Sequence, residues 1–216
     1  EAYPTVPVIL GGLEACLRRF AHYDYWTDSV MPSVAESSGA DLISFGMGEH
    51  QTVEIAHRLS AGESVQTIRD VAGTCYLCNF DELPAEYEEC ASYAKVKADK
   101  TAYAKACRIQ MDQQDPVSGR IVVQKQSQQY LVQNVPAKPL TRRELDAVYA
   151  LPFTRRYHPS YEPLGGIPAI EEVEFSIAHN RGCFGGCNFC AIAMHQGRRV
   201  TSRSEESVVR EAQQLT

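Results

Sequence analysis

Twice near its start the chain runs from a short apolar segment through glycines into a helical pattern. Val6-Pro7-Val8-Ile9-Leu10 ends at Gly11-Gly12 and gives way to a helical stretch over 13–20. Leu42-Ile43-Ser44-Phe45 ends at Gly46-Met47-Gly48 and gives way to a helix predicted over 49–59, where Val53, Ala56 and Leu59 keep helical spacing beside Ile55. Alternating strands and helices predict parallel βαβ units, so the first segment reads as α/β and ends near Cys78.

The whole 216-residue chain is ordinary globular material, with 44% apolar and 22% charged residues, which excludes disorder and collagen-like structure and leaves room for one or two domains. No apolar run approaches the roughly 18–20 residues that span a bilayer, so no membrane partner is expected. A formal charge of −6 argues against wholesale binding of nucleic acid, while leaving room for a local basic patch.

Beyond Cys78 the signals change. The acidic stretch Asp81, Glu82, Glu86, Glu88 and Glu89 around Pro84 suits the first turn of a helix, predicted to run on through alanine-rich sequence to Gln114 and to stop at Asp115-Pro116. Residues 119–133 predict a hairpin, Ile121-Val122-Val123 against Tyr130-Leu131-Val132. A proline-punctuated connector follows from Pro136 to Pro168, with one short helix opened by Thr141 and Glu144 as a capping box. Alternation over 172–178 predicts a strand, and Ser202 with Glu205 a second capping box, opening a helix with Val208, Val209, Ala212 and Leu215 on one face. The domains are therefore expected as 1–80, 81–170 and 171–216. With no initiator Met and no helix-ending signal at Thr216, the chain reads as a piece of a longer protein.

Eight cysteines stand out: Cys16, Cys75, Cys78, Cys90, Cys107, Cys183, Cys187 and Cys190. Nothing at residues 1–4 resembles a leader, so reduced thiols in a cytoplasmic protein are expected, and clustering then means metal or redox chemistry. The last three fall within eight residues, Cys183-Phe184-Gly185-Gly186-Cys187-Asn188-Phe189-Cys190, directly after the predicted strand. Thiolates select zinc, copper(I) or iron–sulfur clusters. Structural zinc usually takes four closed ligands in paired form, whereas three thiolates on a four-iron cluster leave one iron open to bind something.

The spacing, with Phe189 before the last cysteine, resembles the radical SAM signature. The flanking Arg18-Arg19-Phe20-Ala21-His22-Tyr23-Asp24-Tyr25-Trp26, Leu151-Pro152-Phe153-Thr154-Arg155, His179-Asn180-Arg181-Gly182, His195-Gln196-Gly197-Arg198 and residues 202–207 look like the YgiQ-type radical SAM proteins. The resemblance implies a portion of a Rossmann-like, cobalamin-binding-like domain, a helix and hairpin connector, and the first strand and helix of a partial β/α radical SAM barrel. It further implies a 4Fe–4S cluster on Cys183, Cys187 and Cys190, with S-adenosylmethionine (SAM) on the open iron and Phe189 against its adenosyl group. An electron donor such as a flavodoxin or ferredoxin would supply the reducing equivalent. The enzyme so implied abstracts hydrogen from an unknown substrate; the Gly-rich segment that grips SAM lies beyond Thr216, so this stretch alone is expected to be inactive. Two other readings stand beside it: an RNA-modifying methylthiotransferase-like enzyme, which needs a second cluster, and a non-catalytic metal-stabilised interaction module.

Other features read more plainly. Gly46-Met47-Gly48-Glu49 is expected to be a structural turn, and no Asp-x-His-x-x-Gly sequence offers a cobalt ligand, so bound cobalamin is not expected. Cys75 and Cys78 should lie on opposite faces of a strand as packing residues, and Cys16, Cys90 and Cys107 should be small apolar residues on helices. The run from His22 to Trp26 reads equally as a binding surface or a packed loop. Arg181, Arg198, Arg199 and Arg203, in a stretch without acidic residues, offset a negative cluster or attract a carboxylate.

Overall fold

The structure is a computed structural model, and residues 5–187 and 189–215 are described. The chain divides into two compact units, one formed by residues up to Pro139 together with Cys183–Arg198, the other by Leu140–Gly182 together with Arg199 onward.

In the first unit the elements run β1 (Ile9–Leu10), α1 (Gly12–Leu17), β2 (His22–Asp24), β3 (Ser29–Met31), α2 (Val34–Ser38), β4 (Leu42–Ser44), α3 (Glu49–Ser60) and β5 (Thr74–Cys78). β6 (Glu88–Cys90), α4 (Tyr93–Ala98), α5 (Lys100–Asp112), β7 (Val122–Lys125) and β8 (Tyr130–Gln133) complete the sheet and its cover. Six strands lie in the order β1-β4-β5-β8-β7-β6. β1 and β4 are parallel, as are β6 and β7, while β4/β5, β5/β8 and β8/β7 are antiparallel. The unit is α/β and Rossmann-like, with a mixed sheet.

Both faces are covered, and this explains the near-continuous apolar strands. Ile43, Cys75, Val122 and Leu131 pack under α1, α2, α4 and α5 on one face. Leu42, Tyr76, Cys78, Val123 and Val132 pack on the other with Ile55 of α3 and the 65–71 segment. Two expectations change here. The second strand–helix unit does not return a parallel strand: after α3 the 61–73 segment carries the chain back to the end of β4, where the Phe45 N–H donates to the Gly73 carbonyl at 2.8 Å, and β5 leaves antiparallel. The acidic stretch is no helix start either, because Cys90 is buried and Glu88–Cys90 pairs with Val122–Gln124 as an edge strand. The helices begin later, capped by Ser92 and Asp99. The predicted hairpin forms as β7 and β8.

The second unit holds α6 (Arg142–Tyr149), α7 (Ile170–Val173), β9 (Asn180–Arg181), β10 (Thr201–Ser202) and α9 (Glu205–Leu215). α6 carries the expected capping box: Glu144 N–H donates to Thr141 Oγ1 at 3.3 Å, and Thr141 N–H to Glu144 Oε2 at 2.7 Å. The strand predicted over 172–178 does not form. Glu174 N–H bonds the Ile170 carbonyl at 2.8 Å and Ser176 N–H the Val173 carbonyl at 2.9 Å, since an alternating segment without a neighbouring strand satisfies its backbone locally. No barrel closes among the described residues. α9 is capped by Ser204, whose Oγ accepts from Ser207 N–H, two residues later than expected. Its buried line is Ser207 and Glu211, with Val209 exposed, because a buried arginine lies against it.

That arginine is Arg203, 3% exposed. It donates to Ser207 and to the Ala178 carbonyl, pairs with Glu211, and stacks 4.1 Å from the ring centroid of Tyr149. Arg155 pairs with the same carboxylate at 2.7 Å. Burial alone would push the Glu211 carboxyl up, but the two guanidinium groups hold it below its ordinary value.

Candidate functional site

The loop 183–190 is built on tight local bonds. Cys183 N–H donates to the Gly197 carbonyl and Cys190 N–H to the Cys187 carbonyl, both at 3.1 Å, which closes the loop back on itself. Gly185 N–H donates to Cys183 Sγ at 3.4 Å, an outer bond of the kind that orients a ligating sulfur. A β-carbon on Gly185 would lie 3.3 Å from Cys183 Sγ and 3.9 Å from Cys187 Sγ, so both sulfurs surround a space that only glycine leaves open. Cys187 is exposed, and Cys183 and Cys190 are half-buried. Phe189 projects into solvent at 92% exposure, and Phe184 is similarly bare. Asn188 lies outside the described residues.

These residues fit a cluster by donor chemistry and by the glycine cradle, with Cys183, Cys187 and Cys190 as the available holders. Among the described residues no three His, Cys, Asp or Glu side chains converge tightly enough for a single metal ion. A polynuclear cluster spreads its thiolate ligands over several irons and does not require that convergence.

The loop continues into α8 (Ile192–Gln196), which belongs to the first unit and packs against α1. Cys16 Sγ lies 3.6 Å from the Met194 carbonyl, which also accepts from Gln114 Nε2 at 3.3 Å. Burial pushes the Cys16 thiol up, yet hydrogen bonding from His195, the charge of Arg19 and the Gly46 backbone together hold it below its ordinary value. Arg19 itself is 1% exposed, bonded to the Cys16 carbonyl, 3.7 Å from Cys16 Sγ and 4.9 Å over the Phe45 ring. Sequence reasoning missed this group: Cys16 reads as a small apolar residue on a helix, and nothing local pairs it with a histidine 179 positions away.

The other cysteines take packing roles. Cys75 and Cys78 face opposite sides of β5, as their odd spacing predicts, so this pair does not converge on one metal. Burial pushes their thiols up to about 12 and about 11, and Cys90, on a strand where a helix is expected, up to about 12. Of the four arginines near the loop, Arg203 is spent on Glu211 and Arg181 lies 5.4 Å from the Tyr149 ring centroid. The run from His22 to Trp26 forms the β2–β3 hairpin. Asp24 accepts from Thr27 at its turn, and Tyr25 and Trp26 sit exposed with ring centroids 4.6 Å apart. A surface groove of about 450 Å³ beside α3, reaching Gln51, Glu54, Arg58 and Lys138, contains no cysteine.

The family described as Radical SAM N-terminal matches residues 1–176. The chain belongs to that family. The radical SAM match ends before the cysteine loop, but the relatives extend through it. A UPF0313 protein of Clostridium perfringens (strain ATCC 13124) is 53% identical over 217 residues, covering 100% of this chain and 33% of the relative. A UPF0313 protein of Clostridium botulinum (strain Kyoto / Type A2) is 48% identical over 216 residues, covering 100% of this chain and 34% of the relative. The resemblance to YgiQ-type radical SAM proteins is thereby borne out. The chain spans about a third of the length of the curated relatives it matches. No solved structure matches it. No helix among the described residues is long and apolar enough to cross a membrane.

Proposed function

We propose that the whole protein is a radical SAM enzyme and that Cys183, Cys187 and Cys190 hold its 4Fe–4S cluster. The observation that supports this most is the cysteine loop itself, with two sulfurs wrapped around Gly185 in a chain of the radical SAM N-terminal family. The chemistry such a cluster supplies when bound is reductive cleavage of SAM to methionine and a 5′-deoxyadenosyl radical that abstracts hydrogen from a substrate. This chain's part is to present three thiolates, to keep a backbone N–H on Cys183 Sγ, and to offer Phe189 as an exposed apolar plate for the adenosyl group. The longer relatives have room for the rest of a radical SAM barrel. Reduced, free cysteines suit a cytoplasmic enzyme served by a flavodoxin- or ferredoxin-type donor.

Iron and acid-labile sulfide per chain, after anaerobic reconstitution of the full-length protein, test this reading. Electron spin resonance spectra are taken before and after adding SAM. Four irons per chain with a SAM-dependent spectral change are expected, and Cys187→Ser should abolish 5′-deoxyadenosine formation. Zinc in place of iron, or a cluster indifferent to SAM, would favour a metal-stabilised interaction module.

A further inference from the structure

In doubly wound α/β sheets ligands bind beyond the carboxyl ends of the strands, where successive connections leave for opposite faces. In this chain that point lies between β1 and β4. They are parallel neighbours, α1 leaves β1 for the face bearing Ile43 and Cys75, and α3 leaves β4 for the face bearing Leu42 and Tyr76. Gly11-Gly12 and Gly46-Met47-Gly48 follow the ends of these two strands and so form the two lips at that point of the sheet.

The chain's own helix α8 lies there. Its Met194 carbonyl is 3.6 Å from Cys16 Sγ on α1, and its His195 carbonyl lies 3.7 Å from where a β-carbon on Gly46 would stand. Gly46 has φ +74°, so a side chain at this lip would be strained as well as turned toward α8. The contact is polar and enclosed. Cys16 is fully buried, Arg19 grips its carbonyl, and Gln114 from the end of α5 holds the Met194 carbonyl from the other side. His195 Nδ1 is buried beside it with no hydrogen-bond partner among the described residues. Only Ala191 separates α8 from Cys190, so whatever fixes α8 fixes the cysteine loop.

We propose that α8 takes the place of a ligand in the switch-point crevice, and that its contact with Cys16 and Gly46, made by Met194 and His195, is the latch through which the α/β unit positions the cluster cysteines. This rests on the reading of Cys183, Cys187 and Cys190 as cluster ligands. Cys16 and His195 are positioning residues: neither touches the reacting atoms, and both act through the loop. The α/β unit thereby serves as the seat of the cluster loop.

Alkylation of Cys16 in the iron-free full-length protein, followed by peptide mass spectrometry, reads the latch without reference to the cluster. In the wild type Cys16 stays protected while exposed Cys187 reacts. His195→Ala should speed Cys16 modification by about tenfold or more, with the melting temperature little changed, since only a five-residue surface helix is released. Iron content reads the consequence: Cys16→Ser, which keeps a donor for the Met194 carbonyl, should load iron like the wild type, and Cys16→Val and His195→Ala should load less. Equal Cys16 alkylation in wild type and His195→Ala overturns the latch. Normal iron loading by Cys16→Val and His195→Ala overturns its positioning role while leaving the cluster assignment intact. His195-dependent protection in a protein that never binds iron overturns the cluster assignment and leaves the latch.

Discussion

Arg19 Nε donates to Gln133 Oε1 at 2.6 Å, joining the end of α1 to the end of β8 across 114 positions of sequence, with both side chains almost fully buried. A buried guanidinium is tolerated only where its donors are met, and Arg19 Nη2 has no partner among the described residues, so little is in reserve. Gln133→Leu should destabilise the α/β unit by about 2–4 kcal/mol, because it leaves a charged donor unpaired in the core. Urea unfolding monitored by circular dichroism measures it; a loss below half a kcal/mol would mean that Arg19 finds another acceptor.

Gly185 and Gly186 are adjacent and look alike in sequence, yet only one is tight. A β-carbon at Gly185 would press on Cys183 Sγ at 3.3 Å, whereas at Gly186 nothing lies within 4 Å. Gly185→Ala should lower iron bound per chain severalfold in the reconstituted full-length protein, and Gly186→Ala should leave it near the wild-type value.

Glu211 gives the second unit an acid-sensitive joint. Its folded pKa lies below the unfolded value of about 4.3 because Arg203 and Arg155 favour the carboxylate. Stability from this group is therefore complete above pH about 5 and is lost as pH falls through the folded value. Far-ultraviolet melts between pH 7 and pH 3 should show a steep loss at the acid end in the wild type. Glu211→Gln should be less stable at pH 7 and show a shallower loss.

Thr141→Ala removes half of a capping box with both bonds formed and should cost about 1 kcal/mol. Glu144→Ala should cost less, and the double variant should fall short of the sum, since the two bonds share one turn. Chemical denaturation of the three variants gives the coupling directly.

Local sequence determined a good deal of this protein. The two strand–glycine–helix units, the β7–β8 hairpin, the Thr141 capping box, the opposed Cys75 and Cys78 and the cysteine loop all rest on neighbours a few residues apart, and spacing records such relationships. Tertiary structure decided what depends on distant partners. β5 turned antiparallel because the chain after α3 runs back along the sheet, and Glu88–Cys90 became a strand because β7 offered it an edge. The 172–178 segment, alternating yet without a strand to pair with, kept to local bonds. Two polar side chains, Gln124 and Gln126, are buried: Gln124 Oε1 accepts from Ala21 N–H and Gln126 Oε1 from Ser33 N–H, satisfying backbone donors that no helix or strand meets. The same physics hid the bond from Cys16 Sγ to the Met194 carbonyl. A hydrogen-bond demand created by burial has no signature at either residue alone, and it exists only once α8 lies against α1.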